Sequence, residues 1–162
     1  MSIQFFEERL VLAKKMYAEL LSCERGDDNL QALASKAASL TLCVQSLEAL
    51  LMWLHARYGL LTPLGELKIT STIAARLPEH SAPEWQHSKA LLCDERFTGL
   101  WAWYARLSQP QPLAASAKYS SNIALSNTHN EDAAEANVEA LALLLASMAE
   151  LAAVIRVHSE EY

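Results

Sequence analysis

The chain contains one Glu-x-x-His spacing, Glu84-Trp85-Gln86-His87. On a helix this spacing places a carboxylate and an imidazole on one face, as in the di-iron centres of four-helix bundles. Such a centre needs a second Glu-x-x-His and two more inward-facing glutamates, and the sequence has no second motif. A glutamate in the first turn of a helix is also favoured by the helix dipole alone. We therefore predict no di-iron centre.

The cysteines do not form a recognisable metal or disulfide pattern. Cys23, Cys43 and Cys93 are odd in number and include no Cys-x-x-Cys pair, which argues against a zinc site and against a disulfide framework. Each thiol is best explained as a small apolar core residue in a reducing compartment. The sequence thus predicts no metal and no cofactor.

Two further pairs of polar residues fall short of a catalytic arrangement. Arg76 and His80 approach the Arg–His pair of helical-bundle ribonucleases, but they are too close and Pro78 interrupts the helix that the pair requires. Glu48 and His55 share a face of a predicted helix, yet two turns separate them by about 10 Å. No serine lies in a Gly-x-Ser-x-Gly elbow. These observations favour a non-enzymatic protein.

Two surfaces of predicted helices remain as candidates. A polar strip of Gln45, Glu48 and His55 follows an otherwise apolar second helix, where we expect it to face solvent. The third helix carries what we call the outer stripe, away from its main apolar seam. Tryptophan and arginine together are enriched where proteins bind partners, although wide-arc core tryptophans with arginine stems over them would give the same pattern. The residues of the outer stripe are Trp85, Lys89, Leu92, Arg96, Gly99, Trp103 and Arg106.

The composition predicts the helices that must position these residues. Alanine (27) and leucine (28) make up roughly a third of the 162 residues, whereas glycine (4) and proline (5) are rare. Alanine and leucine favour helix, and the shortage of glycine argues against a Rossmann sheet or a P-loop. A chain of this length fits one domain, 1–162.

Charge and apolar runs exclude several classes of partner. The 13 basic and 19 acidic residues give a net charge of −6, which disfavours sequence-independent binding to nucleic acid. The longest uninterrupted apolar runs, Ala49–Leu54 and Ala140–Ala146, are far shorter than the ~20 residues that span a bilayer. The first ten residues do not resemble a signal peptide. We therefore expect a cytoplasmic protein that binds neither nucleic acid nor membrane.

Apolar residues alternate by three and four along four segments, which predicts four long helices. The second has the longest seam, from Leu33 to Tyr58. Between the second and third helices we expect a loop with a short helix, and before the last helix a long linker. The predicted helices run from about Ser2 to Glu24, from Leu30 to Tyr58, from Ser81 or Ala82 to about Ser108, and from near Asn130 to the C-terminal tail.

The order of these elements resembles a small, uncharacterised bacterial family of all-helical proteins, which has no established activity and implies no site residues. The resemblance spans most of the chain and implies an all-α fold. It is carried by Ala37-Ala38-Ser39-Leu40, by the helix start at Pro83-Glu84, by Trp101 or Trp103 with Tyr104, and by the tail Ser159-Glu160-Glu161-Tyr162.

The predicted fold is an antiparallel four-helix bundle with a long crossover before the last helix. The second helix is apolar over most of its circumference, so we predict a homodimer that acts as an adaptor or regulatory subunit and possesses no catalytic residues. A second protein partner is also compatible with this pattern. The alternative is a bundle that binds a small apolar ligand or catalyses a reaction in its core. A cavity lined by Glu48, His55, Tyr58 or Tyr104 would favour that alternative.

Overall fold

The computed structural model describes residues 3–24, 29–59, 77–108 and 138–160. Within these ranges the chain is helical and contains no strand, which confirms the predicted all-α class. The α-helices are α1 (Ile3–Glu24), α2 (Asn29–Tyr58), α3 (Pro83–Cys93), α4 (Thr98–Leu107) and α5 (Val138–Glu160), with a 3₁₀ turn at Glu95–Phe97 between α3 and α4.

Helices α1 and α2 form an antiparallel pair that is joined by buried serine hydroxyls. Ser46 Oγ donates to the carbonyl of Phe6, and Ser39 Oγ donates to the carbonyl of Ala13, each over 2.9 Å. Ser39 and Ser46 lie seven residues apart in α2, and their acceptors Ala13 and Phe6 lie seven residues apart in α1 but in the reverse order. The two helices therefore run in opposite directions. Small side chains at these positions allow the two backbones to approach closely.

The predicted seams of α1, α2 and α5 form one hydrophobic core. The α2 residues of the 4-3 alternation are buried throughout the central part of the helix. Gly59 ends the helix with a φ of 59°, as expected of a helix-terminating glycine. The core residues from the three seams are Phe6, Leu10, Ala13, Leu20, Leu40, Val44, Leu47, Leu51, Leu54, Leu141, Leu145, Met148, Ala152 and Ile155.

The predicted third helix begins with proline in its first turn, as expected, but it is not continuous. Asp94 has extended backbone angles, φ −69° and ψ 118°, and its carboxylate accepts a hydrogen bond from the backbone N–H of Arg96 over 3.0 Å. An aspartate side chain that bonds to the backbone in this way competes with the helix and caps a new one. The prediction of one straight helix to Ser108 is therefore wrong: α3 ends at Cys93 and α4 starts at Thr98.

Several predicted elements lie outside the described residues. These are the turn after α1, the loop with a short helix before residue 77, the linker after residue 108, and the start of the last helix near Asn130. The C-terminal Tyr162 also lies outside them.

Two described helices, α2 and residues Val138–His158 of α5, are long and apolar enough by length and composition to cross a membrane. Isolated polar residues interrupt the apolar runs of both helices, yet an 18-residue stretch of each is apolar on average. The core helix of a soluble protein has the same length and composition, and 56 % of that stretch in α2 is buried inside this chain. For α5 the buried share is 39 %.

Candidate functional site

The outer stripe predicted on the third helix is not a single exposed surface. Trp85, Leu92 and Trp103 are buried, with at most 7 % of each residue exposed. The break at Asp94 separates α3 from α4, so positions spaced for one straight helix do not stay on one face. For these three residues the prediction of an outward-facing surface is wrong.

The charged members of the outer stripe lie closer to solvent, and two of them make local ion pairs. Lys89 pairs with Glu79, and Arg96 makes a bidentate contact to the carboxylate of Asp94, with Nη2 at 2.7 Å from Oδ2. Arg106 is exposed in the last turn of α4. The Arg96–Asp94 contact lies at the break between α3 and α4, whereas the Lys89–Glu79 pair joins α3 to the segment that precedes it.

Buried aromatic residues of α3 and α4 hold other segments in place. The indole of Trp85 donates to the carbonyl of Pro78 over 2.9 Å and thereby fixes the segment that precedes α3. The ring of Trp103 lies 5.5 Å from the ammonium of Lys36, a buried lysine of α2. This contact is a cation–π interaction between α2 and α4.

The predicted polar strip of α2 contacts other helices and is only partly open to solvent. Gln45, Glu48 and His55 are each half-buried. Gln45 accepts a hydrogen bond from Arg9 of α1. Burial, and next the charge of Glu48, raises the pKa of Tyr104 in α4. His55 Nε2 is buried and has no hydrogen-bond partner among the described residues. The strip is less exposed than expected, because Gln45 bonds to α1 and Glu48 acts on Tyr104 of α4.

A surface groove lies between α1 and the C-terminal end of α5, and we call it the α1–α5 groove. Arg156 Nε donates to Glu7 Oε1 over 2.6 Å and closes one side of the groove. Val11 and Leu12 line it and remain 53 % and 48 % exposed. The groove has a volume of about 530 Å³ and is lined by Gln4, Glu7, Glu8, Val11, Leu12 and Arg156.

A second concave site, which we call the helix-end cavity, lies where three helices terminate. It is lined by the C-terminal ends of α2 and α5, by the first turn of α3 and by the segment before α3. Its volume is about 440 Å³, within the usual range for small-molecule sites. The lining residues are Arg57, Tyr58, His80, Ser81, Ala82, Pro83, Glu84 and His158.

The helix-end cavity contains a buried carboxylate held by an aromatic pair. Glu84 is only 4 % exposed, and its Oε1 accepts a hydrogen bond from the hydroxyl of Tyr58. The Tyr58 ring stacks on the His80 ring with their centroids 4.4 Å apart. His80 Nδ1 accepts the backbone N–H of Ala82 over 3.0 Å, so the neutral ring carries its proton on Nε2. One wall therefore holds an acceptor, a donor and an aromatic face.

Three members of this cavity belong to other candidate groups in the sequence. Glu84 was paired with His87, but Glu84 is buried and His87 is exposed, so the Glu-x-x-His residues are not brought together. His80 was paired with Arg76, which lies outside the described residues. Of the four residues expected to line a core cavity, Tyr58 lines this one. In the sequence, the feature that could have indicated a rigid segment at residues 79–82 is the pair of flanking prolines, Pro78 and Pro83.

Among the residues that the structure describes, no group of three or more His, Cys, Asp or Glu side chains could hold a metal ion. Comparison with known family models, curated proteins and solved structures finds no match to this chain.

Proposed function

We propose that this chain is a non-enzymatic interaction protein that functions as a homodimer, as an adaptor or a regulatory subunit in the cytoplasm. In this proposal the chain is one antiparallel four-helix bundle in which α3 and α4 together occupy the third position, with a crossover before α5. The antiparallel α1–α2 pair supports this arrangement. So does the Glu7–Arg156 contact, which joins the N-terminal end of α1 to the C-terminal end of α5.

The observation that carries the proposal is the uncovered apolar surface of α5. Its residues at 3-4 spacing form a second stripe opposite the core, and every member is exposed. The stripe consists of Leu143, Ala146, Glu150, Ala153 and Val157. Apolar residues at this spacing are the pattern by which two helices pack as a coiled coil.

The α1–α5 groove extends this apolar surface toward α1. Arg156, which closes the groove, is adjacent in the chain to Val157, which is 58 % exposed. Val11 and Leu12 add two more exposed apolar side chains. Soluble monomers seldom expose a large contiguous apolar patch, and such patches mark interaction surfaces.

A second copy of the chain fits this surface better than a lipid bilayer does. Glu150 lies within the α5 stripe, and Glu139 and Arg156 are exposed on the same helix. A charged side chain costs about 2.5–3.5 kcal/mol or more at the centre of a bilayer, whereas the polar rim of a protein interface accommodates Glu139 and Arg156. The net charge of −6 also disfavours anionic lipid headgroups.

Replacing Leu12 by glutamate tests the proposal, because it places a charge in the α1–α5 groove without entering the core. We expect Leu12→Glu to halve the mass measured by light scattering and to leave the helical circular dichroism unchanged. Met52→Glu is the matched control: Met52 is 45 % exposed, similar to Leu12, but lies on α2 outside the groove. It should remain dimeric.

Two results would contradict the proposal. One is a Leu12→Glu variant with the same mass as the unmodified chain while Met52→Glu dissociates. The other is unmodified protein that sediments with lipid vesicles as a monomer, which would assign the apolar face of α5 to a membrane surface.

A further inference from the structure

We infer that the helix-end cavity binds a small organic amine, whose ammonium group pairs with the carboxylate of Glu84. This inference is independent of the proposed dimer, since the cavity and the α1–α5 groove share no lining residue.

The carboxylate of Glu84 is incompletely paired within the described residues. Its Oε1 accepts the Tyr58 hydroxyl, and its backbone carbonyl accepts Ser88 Oγ over 2.7 Å. Its Oε2 has no hydrogen-bond partner among the described residues, although the residue is only 4 % exposed. Glu84 is one of the residues that line the helix-end cavity.

A carboxylate in this position favours a cationic ligand. Burying a charge is costly unless the charge is paired, and a neutral phenol supplies a hydrogen bond but no positive charge. No ion pair joins Glu84 to a cation of the described chain. An ammonium group from outside would supply both the charge and a donor for Oε2.

The aromatic pair beside Glu84 adds to the preference for an amine. The stacked rings of Tyr58 and His80 form part of the same lining. Aromatic faces attract cations through the ring quadrupole, and a carboxylate combined with aromatic walls is a general arrangement for recognising ammonium groups. The Nε2–H of His80 is a further donor, which suits an acceptor elsewhere on the ligand.

A basic residue of the lining influences which amine fits. Arg57 lines the cavity and is exposed, and His158 is contributed by α5. A positive side chain in the lining repels a second ammonium group and attracts a carboxylate. A zwitterion such as an amino acid should therefore bind more tightly than an alkylamine of the same length, and both more tightly than an alcohol.

Calorimetric titration with three four-carbon probes tests the inference. We expect 4-aminobutyrate and n-butylamine to bind the full chain at millimolar concentration, with 4-aminobutyrate the tighter, and 1-butanol to give no binding. Binding of neither amine would overturn the inference. Equal affinity for the alcohol would overturn it as well, because the site would then be an unspecific cavity. Tighter binding of n-butylamine would retain the ammonium site but remove the role of Arg57.

Variants locate the site. Glu84→Gln keeps an acceptor for Tyr58 but removes the charge, so it should weaken amine binding by roughly tenfold or more. Glu79→Gln is the matched control, because Glu79 is exposed, pairs with Lys89 and does not line the cavity. It should bind as the unmodified chain does.

A second variant keeps the inference testable if Glu84→Gln fails to fold. Ser81 is exposed and lines the cavity, so Ser81→Trp should obstruct it without disturbing the core. Loss of amine binding in Ser81→Trp, with an unchanged thermal melt, supports the inference. Undiminished binding in either folded variant contradicts it.

Discussion

Replacing Trp103 by alanine should destabilise the protein strongly. Trp103 is 1 % exposed in α4 and belongs to the common core. Truncation of a buried tryptophan to alanine costs about 3–5 kcal/mol, since the transfer free energy is lost and a cavity remains. An exposed partner-binding tryptophan would cost far less stability, so the substitution separates the two interpretations of the outer stripe.

Two local features adjust this magnitude in opposite directions. The ammonium of Lys36 lies 5.5 Å from the ring centroid, and loss of the cation–π contact adds about 0.5–2 kcal/mol. The indole Nε1 is buried without a hydrogen-bond partner among the described residues. Removing that unpaired donor reduces the cost of the substitution by about 1–3 kcal/mol. The two corrections nearly cancel, so the expected cost stays at about 3–5 kcal/mol.

Thermal unfolding followed by circular dichroism measures the effect. For a chain of this size each kcal/mol corresponds to a shift of about 2–4 °C, so Trp103→Ala should lower the Tm by roughly 10 °C. Trp103→Phe, which keeps a ring and removes the unpaired N–H, should lie much nearer the unmodified chain. Arg96→Ala changes an exposed member of the same stripe and should have little effect. A Tm for Trp103→Ala within a degree or two of the unmodified protein would refute the core assignment.

Three further predictions follow from described contacts. Ser39→Ala should lower the free energy of unfolding in urea by about 1 kcal/mol, because alanine lacks the hydroxyl that bonds to the α1 backbone. An unchanged urea midpoint would contradict the contribution of this serine to the α1–α2 pair. Burial raises the pKa of Cys43 to about 12, so iodoacetamide at mildly alkaline pH should label exposed Cys93 and reach Cys43 only after unfolding, as peptide mass spectrometry would show. The side chain and then the backbone N–H of Arg96 lower the pKa of Asp94. Its stabilising contribution is therefore present above its ordinary pKa and is lost as the pH falls through the lower folded value. The stability difference between the unmodified chain and Asp94→Asn should thus begin to fall below about pH 4 and vanish only below the lower folded pKa, and a difference that persists in strong acid would exclude this origin.

Periodicity was sufficient to predict the helices that contribute long seams. In α2 the residues from Leu40 to Leu54 are spaced for one face, and burial of that face stabilises the helix wherever its neighbours lie. The proline at residue 83 likewise indicated a helix start, because its missing N–H has no partner to lose in a first turn.

The break at Asp94 could not be derived from the same pattern. Cys93, Phe97 and Leu100 continue the 3-4 spacing through it, and the spacing does not reveal that one aspartate side chain bonds to the backbone two residues on. The same pattern left open whether Trp103 is a core residue or an exposed partner-binding residue, because the face that α4 turns toward the core depends on this break.

The helix-end cavity could not be predicted from the sequence for a different reason. Its members come from the end of α2, the start of α3 and the end of α5, and only tertiary packing brings Tyr58 to Glu84. Neither residue has a distinctive neighbour in the chain, so no local spacing marks the pair. The α5 stripe was not part of the predicted seam, and its exposure depends on which face of α5 the other helices cover.

The mass of the unmodified chain in solution, measured by light scattering over a wide range of dilution, tests the proposed homodimer most directly. We expect one species of twice the 17.9 kDa chain mass at micromolar concentration, dissociating on dilution without loss of helical signal. A mass equal to that of the single chain at micromolar concentration would contradict the proposal.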